Sequence, residues 1–274
     1  MSPDLSKVLV AIDGSEHSDY ALNVAVKIGA KYSSSFTLVQ VEVPSAKTET
    51  EKVPGNILDE RVGIVKMNSL ACTQIKVQSS DPAGEILKLA NSGNYGLVVL
   101  GSRGLGSLKS LLMGSVSAKV AKEAKSSILV VKTKIEAIPK ILLGYDGSDQ
   151  SKNALEFATD LGLKFSAKVD VVSVFNIPVS PEAYIGTEVD RWEKDMKSLL
   201  DSAVESMRAK GLQTQGKIID HNNVPLALTS EAEKGSYDII VVGSRGQGRL
   251  KSLLLGSVAS GIANSSKTNV LIVR

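Results

Sequence analysis

The feature that most limits the fold is that the chain repeats itself. Lys7-Val-Leu-Val-Ala-Ile-Asp-Gly-Ser15 returns 133 residues later as Lys140-Ile-Leu-Leu-Gly-Tyr-Asp-Gly-Ser148. Gly101-Ser-Arg-Gly104 returns 142 residues later as Gly243-Ser-Arg-Gly246, so the second copy carries nine extra residues between these landmarks. They are expected around Tyr184–Trp192. Two copies of roughly 135 residues are each large enough to fold around a core of their own. The expected domains are 1–136 and 137–274. The join, Thr133-Lys-Ile-Glu-Ala-Ile-Pro139, is short and not Gly/Ser-rich, so the halves are expected to be close neighbours.

The copies have not diverged evenly. From Lys7 to Val43, 14 of 37 positions match their counterparts; from Thr73 to Leu100, only 4 of 28 do. The block Gly101–Val116 matches Gly243–Val258 at 13 of 16. Turn geometry explains shared glycines, but it does not explain the shared Leu-Lys-Ser-Leu-Leu of 108–112 and 250–254.

Short apolar, β-branched runs separated by stretches of helical period predict alternating strands and helices. In the first copy strands are expected at 7–12, 36–43, 74–79, 96–101 and 127–132, with helices near 16–31, 57–71, 83–92 and 115–125. In the second, strands are expected near 140–145, 169–176, 215–220, 237–243 and 269–273. Uninterrupted apolar strands such as Leu97-Val-Val-Leu100 and Ile239-Ile-Val-Val242 indicate parallel sheets covered on both faces. The fold class is α/β: two tandem, doubly wound, five-stranded parallel-sheet domains of Rossmann-like form.

Other properties narrow the function. A net charge of +3 over 274 residues, with basic residues scattered, gives no nucleic-acid footprint. No run of 18 apolar residues suggests a membrane span, and Met1–Lys7 lacks the pattern of a secretory leader, so a cytoplasmic location is expected. The single Cys72 cannot form an internal disulfide and is expected to be a buried or half-buried, inert thiol.

In open α/β sheets ligands bind beyond the carboxyl ends of the strands, where strand order reverses. There the fourth strand runs into Gly101-Ser-Arg-Gly104, followed after nine residues by Gly114-Ser115 opening a helix. Gly243, Gly246, Gly256 and Ser257 repeat the spacing. Glycines let backbone approach a phosphate chain, and the N–H groups and dipole of the next helix attract negative charge. The Ser115 and Ser257 hydroxyls can add a donor or cap the helix. The pattern G-x2-G-x9-G-S is neither a Walker loop nor the G-x-G-x-x-G dinucleotide turn.

With the two Asp-Gly-Ser turns and the ends Ile128-Leu-Val-Val131 and Val270-Leu-Ile-Val273, this pattern resembles the ATP-binding branch of the universal stress protein family over essentially the whole chain. The resemblance implies a Rossmann-like fold of the adenine nucleotide alpha-hydrolase kind. It also implies that the glycine block holds ribose and phosphates, that the Asp after the first strand lies by the adenosine or its Mg, and that a Val ending the second strand contacts adenine. By position these residues are Asp13, Val41, Gly101, Gly104, Gly114 and Ser115, then Asp146, Val174, Gly243, Gly246, Gly256 and Ser257. Asp13 and Asp146 would meet a metal only through nucleotide-bound Mg. A pseudo-dimer within one chain is also implied, with further homodimerisation and an unknown protein partner left open.

Asp-Gly-Ser is by itself a turn and helix-entry sequence, so the aspartates either cap only or cap and touch ligand. Arg103 and Arg245, inside the glycine turns, are open to phosphate contact or simple solvation, as are Lys109, Arg249 and Lys251 nearby. His17 and His221 have no counterparts in the other copy and are expected at the surface. Trp192 is expected to pack against a helix or cover a site. One candidate metal carboxylate per site and no paired acid and base favour an ATP-loaded regulatory module with slow hydrolysis at most. The alternatives are a weak ATPase or adenylate-transferring enzyme, and an interaction scaffold without nucleotide.

Overall fold

The computed structural model describes residues 3–44, 57–104, 113–175, 186–246 and 255–274, without the side chains of 186–192. Two compact units, Pro3–Glu136 and Ala137–Arg274, account for them. The first runs β1 (Lys7–Ala11), α1 (Glu16–Tyr32), β2 (Ser35–Glu42), α2 (Ile57–Met67), β3 (Cys72–Gln78), α3 (Pro82–Ser92), β4 (Leu97–Gly101), α4 (Ser115–Glu123) and β5 (Ser127–Val131). The second repeats it as β6 (Lys140–Gly144), α5 (Asp149–Phe165), β7 (Lys168–Phe175), α6 (Gly186–Ala209), β8 (Gly216–Asp220), α7 (Val224–Gly235), β9 (Ile239–Gly243), α8 (Ser257–Ser265) and β10 (Asn269–Val273).

Within the first unit the strand order is β3-β2-β1-β4-β5, and within the second β8-β7-β6-β9-β10. Every strand pair inside each unit is parallel, with Val8 opposite Phe36 and Leu97, and Ile141 opposite Val169 and Ile239. The order reverses between β1 and β4, and between β6 and β9, because the first two crossovers step one way and the last two step back. Right-handed crossovers then put the helices on both faces. Accordingly, α2 reaches α1 on one side through Arg61 and Asp19, 2.9 Å apart, while α3 packs with α4.

Central strands covered on two sides must be apolar throughout, and Val8, Leu9, Val10, Leu97, Val98 and Val99 are fully buried. The outermost β3 instead exposes Thr73, Gln74, Lys76 and Gln78, polar side chains that discourage edge pairing. Cys72, at its start, is half-buried, and burial pushes its thiol pKa up, as an inert thiol requires.

The strands lie within two residues of the sequence expectation; α2 does not run as far. It stops at Met67, not 71, because Ser69 turns through a left-handed conformation (φ 58°). Leu70 then folds back, its N–H reaching the Val65 carbonyl at 3.4 Å, and is buried. That buried leucine continues the apolar period beyond the true helix end. The extra residues of the second copy lengthen its second helix: α6 has 24 residues where α2 has 11. The Trp192 side chain, Lys109, Arg249 and Lys251 lie outside the described parts. Among the described residues, no helix is long and apolar enough to cross a membrane.

Two helix glycines give opposite expectations. A Cβ at Gly63 in α2 meets nothing within 4 Å, whereas one at Gly29 in α1 would lie 2.4 Å from the buried Phe36 ring. Gly63→Ala should stabilise the chain by about 0.5–1 kcal/mol, and Gly29→Ala should cost about 1–3 kcal/mol. Thermal melts of the two variants should therefore shift in opposite directions.

Candidate functional site

Each site begins with a carboxylate locked at the end of a unit's first strand. Gly14 turns the chain with φ +79°, and Ser15 then serves as N-cap of α1, its Oγ accepting the Ser18 N–H. The Ser15 N–H and Oγ both donate to Asp13 Oδ1, at 2.9 and 2.6 Å, and the same Oγ lies 3.2 Å from the Arg103 carbonyl. Ser148 repeats this with Asp146 Oδ1 at 3.0 and 2.6 Å, and with the Arg245 carbonyl at 3.4 Å. The serines are thus the helix caps, and the aspartates face the glycine turns.

The second carboxylate oxygen explains one glycine in each turn. A Cβ at Gly104 would stand 2.4 Å from Asp13 Oδ2, and one at Gly246 2.6 Å from Asp146 Oδ2. Gly101 and Gly243 answer to a different constraint, since their Cβ positions fall 2.6 Å from the backbone carbons of His17 and Gln150. These two glycines let the first helix of each unit close on the end of the fourth strand.

The chain re-enters each site at the last helix. Gly114 and Gly256 are the N-caps of α4 and α8, without side-chain capping bonds, and neither helix has an acidic residue in its first turn. Ser115 and Ser257 occupy the first helical position and are exposed, so they do not cap. The Gly114 N–H donates to the Ser102 carbonyl at 2.7 Å, and Gly256 to Ser244 at 2.8 Å, which holds each helix start beside its turn. The remaining amino-terminal N–H groups and the positive end of the dipole suit an anion.

Arg103 is half-buried, and its Nη2 and Nε stand 2.9 and 3.3 Å from His17 Nε2. His17 is therefore part of the rim, not the surface residue expected from its unmatched position. Burial and Arg103 lower its pKa, Glu16 and Asp13 oppose this, and Lys132 adds to it. Lys132 follows β5, is buried, and has its pKa pulled down to about 8 by burial and by Arg103. Its counterpart Arg274 follows β10 and is lowered to about 10 by burial and by Arg245. Each unit therefore has a second cation near enough to the turn arginine to feel its charge. His221 lies elsewhere, its Nδ1 accepting the Asn223 N–H at 2.9 Å.

In the second unit these parts surround a cavity of about 460 Å³ beyond the carboxyl ends of β6 and β9, at the reversal of strand order. All seven residues expected of the second copy line it: Asp146, Val174, Gly243, Arg245, Gly246, Gly256 and Ser257. Tyr145, Val172, Leu228 and Val242 complete an apolar wall opposite the polar turn and helix start. In the first unit Asp13, Arg103, Gly104 and Gly114 meet as their counterparts do, while Val41 lies on β2 opposite Val77. Among the described residues, no group of three or more His, Cys, Asp and Glu could hold a metal ion.

Tyr145 and Lys132 were not singled out by sequence. Tyr145 had a signal, standing against Ile12 just before the shared Asp-Gly-Ser; Lys132 stands against Arg274 after matching strands.

Comparison with known proteins defines the class first: two consecutive domains of one α/β family, matching over residues 5–132 and 138–274. The chain belongs to the Universal stress protein family. A universal stress protein of Mycolicibacterium smegmatis is 27% identical over 301 aligned positions, covering 97% of this chain and 96% of the relative. The Bacillus subtilis universal stress protein YxiE is 32% identical over 146 positions, spanning 49% of this chain and 98% of its own length. A universal stress protein structure from Archaeoglobus fulgidus superposes with a TM-score of 0.68 at 21% identity, covering 98% of this chain and 96% of that one.

Two consequences can be measured. Gly104→Ala and Gly246→Ala should each push the aspartate off its serine and lower stability by about 1–3 kcal/mol; a melting temperature unchanged in both would contradict the packing described. His17, whose folded pKa lies below its unfolded value, contributes stability above about pH 6.5 that is lost as acid protonates it. His17→Gln should therefore flatten the fall in melting temperature between pH 7 and pH 5.

Proposed function

We propose that this chain is a cytoplasmic adenine-nucleotide-binding module that takes ATP, accompanied by Mg, and signals through nucleotide-dependent contacts with a protein partner. The observation that carries the reading is the cavity of the second unit. Its size lies in the range of small-molecule sites, and it joins an apolar wall to a helix amino terminus flanked by arginine. A purine needs the first and a phosphate chain needs the second.

The residues also suit binding more than turnover. Two or three charge-assisted hydrogen bonds of roughly 1.5–3 kcal/mol each, with burial of the base, offset association costs and give a Kd around micromolar. Asp146, or Asp13 in the first unit, would meet a metal brought by the nucleotide. Hydrolysis also needs a positioned base for the attacking water, which neither aspartate, held by its serine, supplies as a free carboxylate. Hydrolysis is therefore slow at most.

Gly114→Asp and Gly256→Asp test this reading. A Cβ at Gly114 meets Ser102 O at an ordinary 3.5 Å, and one at Gly256 meets Arg245 and Ser244 at a tight 3.3 Å. Asp is a favoured N-cap, so the fold should hold, with circular dichroism unchanged. The same carboxylate would repel a phosphate. ATP binding measured by calorimetry should weaken at least tenfold at each altered site, and an unchanged affinity in the double variant would overturn the assignment.

A further inference from the structure

The two units share their turn and helix starts, and Val39 and Val41 recur as Val172 and Val174, but other positions of the wall opposite differ. Ala11, Ile12, Leu100 and Ser117 of the first unit stand where the second has Gly144, Tyr145, Val242 and Ala259. Three of these exchanges each remove one heavy atom. A Cβ restored at Gly144 would come within 3.0 Å of Val242 and 3.1 Å of Leu228, both cavity-lining residues. In the first unit Ser117 Oγ occupies its place by donating to the Gly101 carbonyl at 2.6 Å, where the second unit has only the Ala259 methyl. The fourth exchange replaces a branched aliphatic chain by a phenol. Tyr145 is anchored by its backbone, its N–H donating to Val172 O at 2.9 Å and its carbonyl accepting from Ser173 Oγ at 2.7 Å. Tyr145 is one of the residues lining the cavity, is buried with 8% of its surface exposed, and no hydrogen bond among the described residues engages its hydroxyl.

The charged ends differ as well. Arg103 is half-buried against His17, so a phosphate there must compete with the imidazole. Arg245 is exposed, and Gln150 takes the position of His17.

Building on the nucleotide-binding reading above, we propose that Tyr145 is the residue that sets base recognition in the second unit, its ring stacking on the purine and its hydroxyl bonding a polar edge of the ligand. One chain therefore carries a tight site in the second unit and a weaker one in the first. Stacking together with one hydrogen bond is worth on the order of tenfold in affinity.

Calorimetric titration of the full chain with ATP and Mg should show two transitions, each of one nucleotide per chain, separated by at least tenfold. Gly256→Asp should remove the tight transition, and Gly114→Asp the weak one. Tyr145→Ile, the residue of the first unit, should merge the tight transition into the weak, and Tyr145→Phe should lose only the part owed to the hydroxyl, a few-fold. Two equal sites in the unaltered chain, or a tight transition that Gly114→Asp abolishes, overturn the proposal while leaving nucleotide binding in place. So does a folded Tyr145→Ile chain that keeps the tight transition. Absence of any ATP binding by the unaltered chain overturns both readings. The two glycine variants assign the tight site without touching Tyr145, so the outcome does not depend on that substitution folding.

Discussion

A carboxylate pressed against a bare glycine holds each site together. Asp13 and Asp146 use one oxygen to take two hydrogen bonds from the serine two residues on, and the other oxygen fills the space where Gly104 or Gly246 would carry a side chain. The serine also caps the first helix and approaches the carbonyl of the turn arginine. The end of the first strand, the start of the first helix and the end of the fourth strand are thereby tied at a few atoms. Loops at the carboxyl ends of parallel strands have no ladder of their own, so their positions depend on such ties. Asp-Gly-Ser and Gly-x-x-Gly, far apart in sequence, are two halves of one contact.

Positive charge is gathered around that contact. The last helix of each unit begins on a glycine without a side-chain cap and has no acidic first turn, whereas α1 carries Glu16 and Asp19 and α5 carries Asp149 there. Near the turn arginines stand Lys132 and Arg274, both with pKa values lowered by burial and by their arginine neighbours. Holding like charges near one another costs stability, less where one of them is exposed.

Much of this was legible in the sequence, for identifiable reasons. Buried parallel strands have to be continuous apolar runs, so β4 and β9 could be read directly. The glycine spacing marked the turn because a side chain at Gly104 or Gly246 would crowd the aspartate, and one at Gly101 or Gly243 would meet the backbone of the first helix. What escaped depended on register. Tyr145 reads as one more apolar strand-end residue until β7 and α7 are in place beside it, and Lys132 reads as a solvated lysine until its burial next to Arg103 is known. His17 was misplaced for the same reason: an unmatched histidine near a helix start looks exposed, and only the closure of α1 on Gly101 brings it to the arginine. The end of α2 was misread because Leu70 keeps the helical period after Ser69 has already reversed the chain.

The duplication itself shows which constraints are shared. Positions that answer to the carboxylate–glycine contact or to the closing of the first helix are the same in both copies, down to the 2.6 Å serine bonds. Positions that line the space opposite are free of that contact, and there Ala11, Ile12, Leu100 and Ser117 have parted from Gly144, Tyr145, Val242 and Ala259. Varying the turn loosens the contact that closes it, whereas these four wall positions can vary while the fold stands. On the reading proposed above, two sites built on one scaffold answer to different ligand concentrations without altering the machinery that holds either of them.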